Sequence, residues 1–415
     1  MKGTITSDPK WVRNRCLWVR KLTRIGSWFK RIERCSPIQK IAVLLIIGLV
    51  LYGSLILVEN AVVVPYAPWI PQNNDIDFYH NRTSAIIHGE IPYKDFSMES
   101  PPIIDYLMVP AQLLGGASWQ YSLYFSLFII LTGILYYAML KRYDERLAFL
   151  SGLALIVSPF VFIDATFGVQ DKGIVIFMFI LPLLLFVLQR TKASAFLNTL
   201  GIWTLFFNAT ILPVWLIKAR TNKARWMIFG ITVIVTAAVA VPLLLIAPNQ
   251  FLSFPSYYLL QNPTAEIGGL SIWHFFAQGG YMLPGTLEDV LTVSAILLAS
   301  YFVYRKRDST TFWEGCMIVL LAFFVFYPKI NLSYYILPIS LLIVWGVENR
   351  SVMIRCFVLY IPLMLAACLT ENVTGQPAIM FPYSWVVGSL IVLGVNIMLV
   401  YTFQQARKKK VFFER

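Results

Sequence analysis

The chain has few charged residues. Asp, Glu, Lys and Arg make up 13% of its 415 residues, whereas 58% of the residues are apolar. Soluble domains carry roughly 25% charged residues, so this composition argues against a soluble fold. It predicts a polytopic membrane protein instead. The many aromatic residues agree, because Trp and Tyr collect at membrane interfaces.

Residues and motifs that commonly hold metals or nucleotides are also scarce. The chain has five Cys and three His, without a CxxC pair, a Cys/His ligand spacing or a glycine-rich nucleotide loop. We therefore expect free thiols, no structural metal and no cofactor. The sequence shows no internal repeat, whereas many transporters are built from two related halves.

Long apolar runs predict an all-α fold, a transmembrane helix bundle of about ten spans, since about 30 Å of hydrocarbon requires a helix of roughly 17 to 25 residues. Run 103–116 is too short to span and is expected to be an outer interfacial helix. Run 195–217 is expected to form a hairpin of two short helices. The predicted spans are 41–59, 118–140, 147–164, 173–189, 226–247, 289–304, 311–327, 333–347, 351–369 and 381–402.

Basic residues fall on one side of this threading. With the hairpin returning to its own side, all but four Lys and Arg residues lie on one face, the exceptions being Arg82, Lys94, Lys172 and Lys329. The positive-inside rule then predicts cytoplasmic termini and a multi-pass protein of the cell membrane. A nucleic-acid partner is not expected, because most basic residues flank spans, where anionic headgroups account for them.

The threading divides the chain into three parts. Residues 1–40 form a basic segment with the pattern of an interfacial amphipathic helix, for which membrane lipids are the expected partner. Residues 41–402 form a single transmembrane domain with long outer loops at 60–102 and 248–288, and 403–415 form a basic tail.

The first outer loop is unusually polar for this chain. It carries five acids, namely Asp75, Asp77, Glu90, Asp95 and Glu99. Ion pathways more often place charged residues in the middle of spans. The loop therefore indicates a site at the outer membrane boundary, used for chemistry or recognition.

This loop contains the run DIDFYHNRTSAIIHGEIPYKDFSMESPP (75–102). The run is similar to the first outer loop of GT-C glycosyltransferases, in particular glycosyltransferase family 87 and related polyprenyl-phosphate-mannose-dependent mannosyltransferases. The residues that carry the resemblance are Asp75, Tyr79, Gly89, Pro92, Tyr93, Asp95, Phe96, Pro101 and Pro102.

Two further segments resemble the same family. The segment FGVQD (167–171) looks like its Gly-Gln-x-Asp element, with Val169 inserted, and YPKINLSYYILPISLL (327–342) resembles a polar turn before a Leu-Pro-containing span. The hairpin departs from the family, which usually has a Lys where this chain has Asn208 or Ala209.

The resemblance implies a membrane glycosyltransferase. It would take a sugar, first of all mannose, from a polyprenyl-phosphate donor and transfer it to a hydroxyl of a lipid-linked or glycan acceptor on the outer face. The attack would invert the anomeric carbon with the help of an Asp general base, which typically contributes 10²–10⁴-fold.

Asp75 is the first candidate for this base, because it matches the Asp of the family, and Asp77 is the alternative. Two positions along a helix diverge by about 200°, so only one of them is expected to face the reacting centre. Asp75 has another interpretation, since Asp commonly caps the start of a helix.

The phosphate of the donor requires positive charge where negative charge develops. Lys329 is the first candidate, followed by Lys172 and Arg82; Lys172 has the alternative of pairing with Asp171. His274 could contact substrate or be a hydrogen-bonded interfacial residue. The predicted substrate-binding residues are Tyr79, Tyr93, Asp95, Gln170, Asp171, His274 and Tyr334.

Two other classes of function stay open from the sequence. One is a lipid or solute transporter, or a flippase of envelope glycan assembly, since polytopic bundles of this size often translocate substrates. The other is a non-catalytic scaffold of envelope assembly, which would not require the carboxylates of the first loop.

Overall fold

The computed structural model of the chain describes residues 34–66, 75–166, 168–259, 269–370, 379 and 381–415. Every regular element in this part of the chain is a helix, which confirms the all-α prediction. The amphipathic helix predicted near the N-terminus falls on residues 1–33, outside the described residues.

The helices numbered α1 to α18 below vary widely in length, from 7 to 25 residues. A π-helical turn, Glu59–Val63, and the short helix Val64–Tyr66 continue the first of them. In chain order they are α1 (Pro37–Val58), α2 (Asp75–Ile87), α3 (Pro102–Leu113), α4 (Ser118–Leu140), α5 (Glu145–Ile156), α6 (Pro159–Thr166), α7 (Lys172–Val187), α8 (Thr191–Ile202), α9 (Phe207–Lys218), α10 (Asn222–Ile246), α11 (Pro248–Leu259), α12 (Ile272–Gln278), α13 (Gly285–Arg305), α14 (Phe312–Phe326), α15 (Ile336–Gly346), α16 (Arg350–Val358), α17 (Tyr360–Ala367) and α18 (Ser384–Ala406).

Six helical stretches in the described residues are long and apolar enough to cross a membrane. The protein is therefore a multi-pass membrane protein with a helical bundle. The six stretches are Pro37–Tyr66, Ser118–Leu140, Asn222–Ile246, Gly285–Arg305, Arg350–Ala367 and Ser384–Ala406.

The other four predicted spans are shorter helices in the structure. Three of them correspond to the apolar helices Lys172–Val187, Phe312–Phe326 and Leu332–Gly346. The fourth, predicted at 147–164, is two helices, because Pro159 begins a new helix after Ser158. Proline lacks the amide hydrogen that would continue the helical ladder. The structure thus supports a helical bundle but not the predicted count of about ten spans.

Close packing around α4 fixes the position of the segment before α7. A Cβ atom on Gly173 would collide with the carbonyl group of Phe125 in α4, so glycine allows the two helices to touch there. Gly133 and Gly152 allow the same approach between α4 and α5, where a Cβ on Gly133 would lie 2.9 Å from the carbonyl oxygen of Gly152. Small residues at such crossings are typical of membrane helices.

The predicted hairpin consists of the two short helices α8 and α9. Asn208 is buried between them and donates through Nδ2 to the carbonyl oxygen of Met178 at 3.1 Å and to Oδ1 of Asn198 at 3.2 Å. Asn208, one of the two positions compared above with a lysine, therefore has a side chain that joins the hairpin to α7.

Charged side chains pair with each other at one end of the bundle, which we call the paired end. Its ion pairs are Lys40 with Glu145, Arg407 with Glu314, and Arg415 with Glu348. The C-terminal tail packs against this end, since the ring of Phe413 lies 6.2 Å from that of Tyr143 and 5.2 Å from that of Trp313. Helix α4 leads away from this end, with Tyr137 near its C-terminus bound to Glu145.

Candidate functional site

A cavity of about 230 Å³ lies at the opposite end of α4, where α2 and α3 meet the segment before α7. Tyr124, near the start of α4, donates to the carbonyl oxygen of Leu107 in α3, which places this helix start beside the cavity wall. The cavity is lined by Asp75, Phe78, Tyr79, Arg82, Glu99, Ser100, Ile104, Asp105, Met108, Gln170, Asp171, Lys172, Leu205, Tyr257, Asn331 and Tyr334.

Most of the predicted site residues meet in this cavity, although they come from three distant parts of the sequence. Five predicted residues do not line the cavity, namely Asp77, Tyr93, Asp95, His274 and Lys329. Those that line it are Asp75, Tyr79, Arg82, Gln170, Asp171, Lys172 and Tyr334.

The two aspartates at the start of α2 face different surroundings. Both belong to the first turn of this helix, so the 200° divergence applies. Asp75 is half-buried and accepts a hydrogen bond from Nε2 of Gln170 at 2.9 Å, whereas Asp77 is exposed. Asp75 is also the first residue of the helix, where a carboxylate interacts favourably with the helix dipole. Of the two, Asp75 has the position from which it can act on a bound molecule.

The turn that presents Gln170 is strained. Val169 has a φ of 43°, in the left-handed region that a β-branched residue rarely adopts. Its side chain is buried, so packing holds the unusual backbone in place. Such strain often accompanies functional sites, because the surrounding fold must hold it. The residue inserted into the Gly-Gln-x-Asp element therefore forms the turn that aims Gln170 at Asp75.

Tyr79 connects α2 to the next part of the wall. Its ring packs edge-on against Phe125 at 5.7 Å, and its hydroxyl accepts a hydrogen bond from the backbone amide of Asp171 at 3.4 Å. Burial, and then the carboxylates of Asp171 and Asp75, raise the pKa of Tyr79 well above its usual value. The hydroxyl consequently stays protonated and polar without adding charge to the cavity.

Asp171 and Lys172 form an ion pair in the cavity wall, and each is 8% exposed. The Nζ atom of Lys172 also lies 5.5 Å from the centre of the Tyr334 ring. A charged pair held this deeply interacts with a ligand more strongly than one in water would, because the surroundings screen it less. Lys172 thus offers a positive charge at the cavity, already partly neutralised by its neighbour.

A second basic group, Arg82, belongs to a polar network that joins α2, the end of the first loop and α3. Its Nη1 donates to Oγ of Ser100 at 3.2 Å, and this hydroxyl donates to Oδ2 of Asp105 at 3.4 Å. Tyr93 lies behind the network and donates to the carbonyl oxygen of Ser100 at 2.6 Å. Tyr93 is therefore placed to support the cavity wall rather than to touch a ligand.

Asp105 is a buried acid of the cavity that is not among the predicted site residues. It is completely buried, and its Oδ1 has no hydrogen-bond partner among the described residues. Burial raises the pKa of this carboxyl to about 7, although Arg82 and Ser100 act in the opposite direction. The available signal was an acid inside the apolar run 103–116, because an ionisable residue in such a run is costly to keep.

The remaining predicted residues have other contacts. Lys329 is buried, and its Nζ lies 2.9 Å from the centre of the ring of Tyr257, which lines the cavity. Asp95 accepts a hydrogen bond from the backbone amide of Ile91 and lies 3.6 Å from Lys94, as expected of a turn. His274 is buried in α12 and does not line the cavity.

Among the described residues, no group of three or more His, Cys, Asp or Glu side chains is placed to hold a metal ion. No protein-family model matches the chain, and no curated protein is significantly similar to it. The case for a function therefore depends on the chemistry of the cavity and on the resemblance of the first loop.

Proposed function

We propose that the protein is an integral-membrane glycosyltransferase of the GT-C type. It transfers a sugar from a polyprenyl-phosphate donor to a hydroxyl of a lipid-linked or glycan acceptor. Mannose is the proposed sugar, because the first loop resembles that of mannosyltransferases. We further propose about ten spans, cytoplasmic termini and a site on the outer face of the cell membrane. The observation that carries the proposal is the meeting of Asp75, Gln170, Asp171, Lys172 and Arg82 in one cavity.

The proposed reaction uses these groups in distinct ways. As the acceptor oxygen forms a bond to the anomeric carbon, the bond from that carbon to the phosphate oxygen breaks, and the lipid phosphate leaves with the electron pair. Asp75 takes the proton of the attacking hydroxyl. Lys172 and Arg82 stabilise the negative charge that develops on the departing phosphate. Lys329 supports this charge from beside Tyr257.

The cavity suits a lipid-linked substrate because it is polar and lies beside membrane-length helices. A polyprenyl chain could remain among the apolar helices while its phosphate and sugar enter the cavity. Inverting transfer requires room for the attacking hydroxyl opposite the leaving group. Asp75 and Lys172 come from different helices, since Asp75 begins α2 and Lys172 begins α7.

The proposal is tested by sugar transfer in membranes that contain Asp75→Asn, with labelled polyprenyl-phosphate mannose as the donor. We expect transfer to fall at least about 100-fold, as for the loss of a general base. Asp77→Asn is the matched control, since it makes the same change on an exposed residue of the same helix turn, and it should retain transfer. Full activity of a folded Asp75→Asn protein would exclude Asp75 as the base. Absence of transfer by the wild type with every lipid-linked donor would instead favour a transporter, a flippase or a scaffold.

A further inference from the structure

The cavity contains more acids than bases. Its lining includes the carboxyl groups of Asp75, Glu99, Asp105 and Asp171, but only two cations, Arg82 and Lys172. If every group were ionised, a phosphate that entered would meet a wall with an excess of negative charge. Coulomb repulsion at such short distances is substantial in a partly buried site. Binding of an anion would be easier if one of the carboxyls were neutral.

Asp105 is the carboxyl best suited to be neutral. It is the fully buried acid of the lining, and its Oδ1 lacks a hydrogen-bond partner among the residues that the structure describes. In this part of the chain, its other oxygen has only the long contact with Ser100, at 3.4 Å. A fully ionised carboxylate normally accepts several hydrogen bonds when it is buried, so this environment fits the protonated form better.

The groups around Asp105 come from several elements. The nearby charges are Arg82 from α2, which favours the ionised form, and Asp171 from the segment before α7, which opposes it. Four tyrosines also interact with the carboxyl, and none of them supplies a full charge that could hold it ionised. They are Tyr79, Tyr93, Tyr106 and Tyr121.

We propose that Asp105 binds the donor phosphate as a neutral carboxylic acid, donating a hydrogen bond to a phosphate oxygen that Arg82 also contacts, so that donor binding is coupled to the uptake of one proton. This inference rests on the proposed function, because it takes the bound anion to be the phosphate of a lipid-linked donor. The proton comes from water and returns to water when the lipid phosphate leaves.

The location of Asp105 beside Arg82 explains why both groups serve one anion. Ser100 bridges them, accepting from Arg82 and donating to Asp105, so their polar ends lie on the same part of the wall. A neutral acid and a guanidinium both donate hydrogen bonds, as an anion requires. An ionised Asp105 at the same place would compete with the phosphate for Arg82.

The experiment measures binding of methyl farnesyl phosphate to the purified full chain in detergent micelles at pH 6 and pH 8. This probe is a phosphodiester, so its own charge is constant over that range. With a carboxyl pKa of about 7, we expect wild-type affinity to fall about tenfold from pH 6 to pH 8. Calorimetry in two buffers of different ionisation enthalpy should show uptake of close to one proton per ligand at pH 8.

Three variants test the assignment. Asp105→Asn is neutral at every pH and keeps a hydrogen-bond donor, so it should bind at pH 8 about as tightly as the wild type does at pH 6, without proton uptake. Glu99→Gln, a change to an exposed acid of the same lining, should keep the tenfold dependence on pH. Arg82→Gln should weaken binding at both pH values. Thermal unfolding of each variant shows whether it is folded.

The outcomes separate this inference from the proposed function. Wild-type binding that does not depend on pH, or an Asp105→Asn protein that keeps the wild-type dependence on pH, would overturn the proton uptake but leave the lipid-phosphate donor intact. Absence of binding at both pH values would overturn the inference together with the proposed donor.

Discussion

At the paired end of the bundle, Glu145, Glu314 and Glu348 have direct basic partners, whereas Asp105, a buried acid of the cavity, has none among the described residues. Glu145 accepts from Lys40 at 2.9 Å and from Tyr137 at 2.8 Å, and these hydrogen bonds lower its pKa. Among the residues that the structure describes, Ser100 alone lies within hydrogen-bond distance of Asp105, and burial raises the pKa of Asp105 to about 7. The two ends therefore use the same chemical group for different purposes.

This difference separates charged groups that stabilise the fold from groups that are available to bind a ligand. An ion pair at the paired end holds helices together, and breaking it mainly costs stability. A group with a strongly perturbed pKa in a cavity is a candidate for function, since its surroundings do not stabilise its usual charge state. Helix α4 runs between the cavity and the paired end, with Tyr124 near the cavity and Tyr137 near the paired end.

The sharpest way to test the comparison is the pH dependence of stability. The pKa of Asp105 is about 7 in the folded protein and 3.8 in an unfolded chain, so the folded state binds an extra proton between these values. Stability conferred by the neutral acid is therefore lost as pH rises from about 4 to 7, by about 4 kcal/mol at most. Asp105→Asn should remove this loss, so its advantage in melting temperature over the wild type should grow from pH 5 to pH 8.

The matched control for this measurement is Glu145→Gln at the paired end. The pKa of Glu145 is lowered, so its interactions are present above the unfolded pKa and are lost as the solution becomes acidic. Its variant should thus be less stable than the wild type at pH 8, with a smaller difference at pH 4. Equal pH profiles for the two variants would remove the distinction between the ends.

The next largest effect is expected at Lys172. Lys172→Met removes a cation that we place beside the donor phosphate, and the loss of one such group typically costs about 10²–10³-fold in rate. It also leaves Asp171 buried without its ion-pair partner, which destabilises the protein. Sugar transfer and the melting temperature should therefore both fall.

A double variant separates the two effects of Lys172. Asp171→Asn combined with Lys172→Met removes both charges, so stability should recover while transfer remains low. Recovery of transfer in the double variant would show that Lys172 acts only by compensating Asp171.

A smaller effect, on stability alone, is expected at the paired end. Lys40 is 4% exposed and pairs with Glu145, whose side chain is 44% exposed. Water can partly replace the lost partner of Glu145, so Lys40→Met should cost about 2 kcal/mol, below the cost of breaking a fully buried pair. Chemical denaturation measures this cost, and sugar transfer at a temperature where the variant is folded should be unchanged. A large loss of transfer would contradict the separation of the ends.

The sequence predicted helices well where apolar runs were uninterrupted. Run 118–140 contains no proline and is a single helix, whereas 147–164 is divided at Pro159. Short helices such as α7 and α14 cannot be distinguished from full spans by composition, because packing decides where they end.

The candidate site was predictable where its residues lie in segments that resemble known motifs, and not elsewhere. Asp75 and Gln170 both lie in segments that resemble known motifs, and they meet although 95 positions separate them. Asp105 and Tyr257 belong to no such motif. Their role in the wall depends on how α3 and α11 pack, which no local pattern of residues specifies.

The smallest effect is expected at Gln170, which positions Asp75 without carrying charge. Gln170→Leu removes the 2.9 Å hydrogen bond to Asp75 while keeping a similar volume. A hydrogen bond to a charged group contributes about 1.5–3 kcal/mol, and part of this returns when water replaces the amide in the cavity. Transfer should therefore fall about tenfold, because Asp75 loses the contact that orients it. Gln170→Glu is the informative companion, since it keeps the shape of the side chain but places a second acid against Asp75, and it should lower transfer at least as much. If both variants kept wild-type transfer, the hydrogen bond from Gln170 would have no part in positioning Asp75.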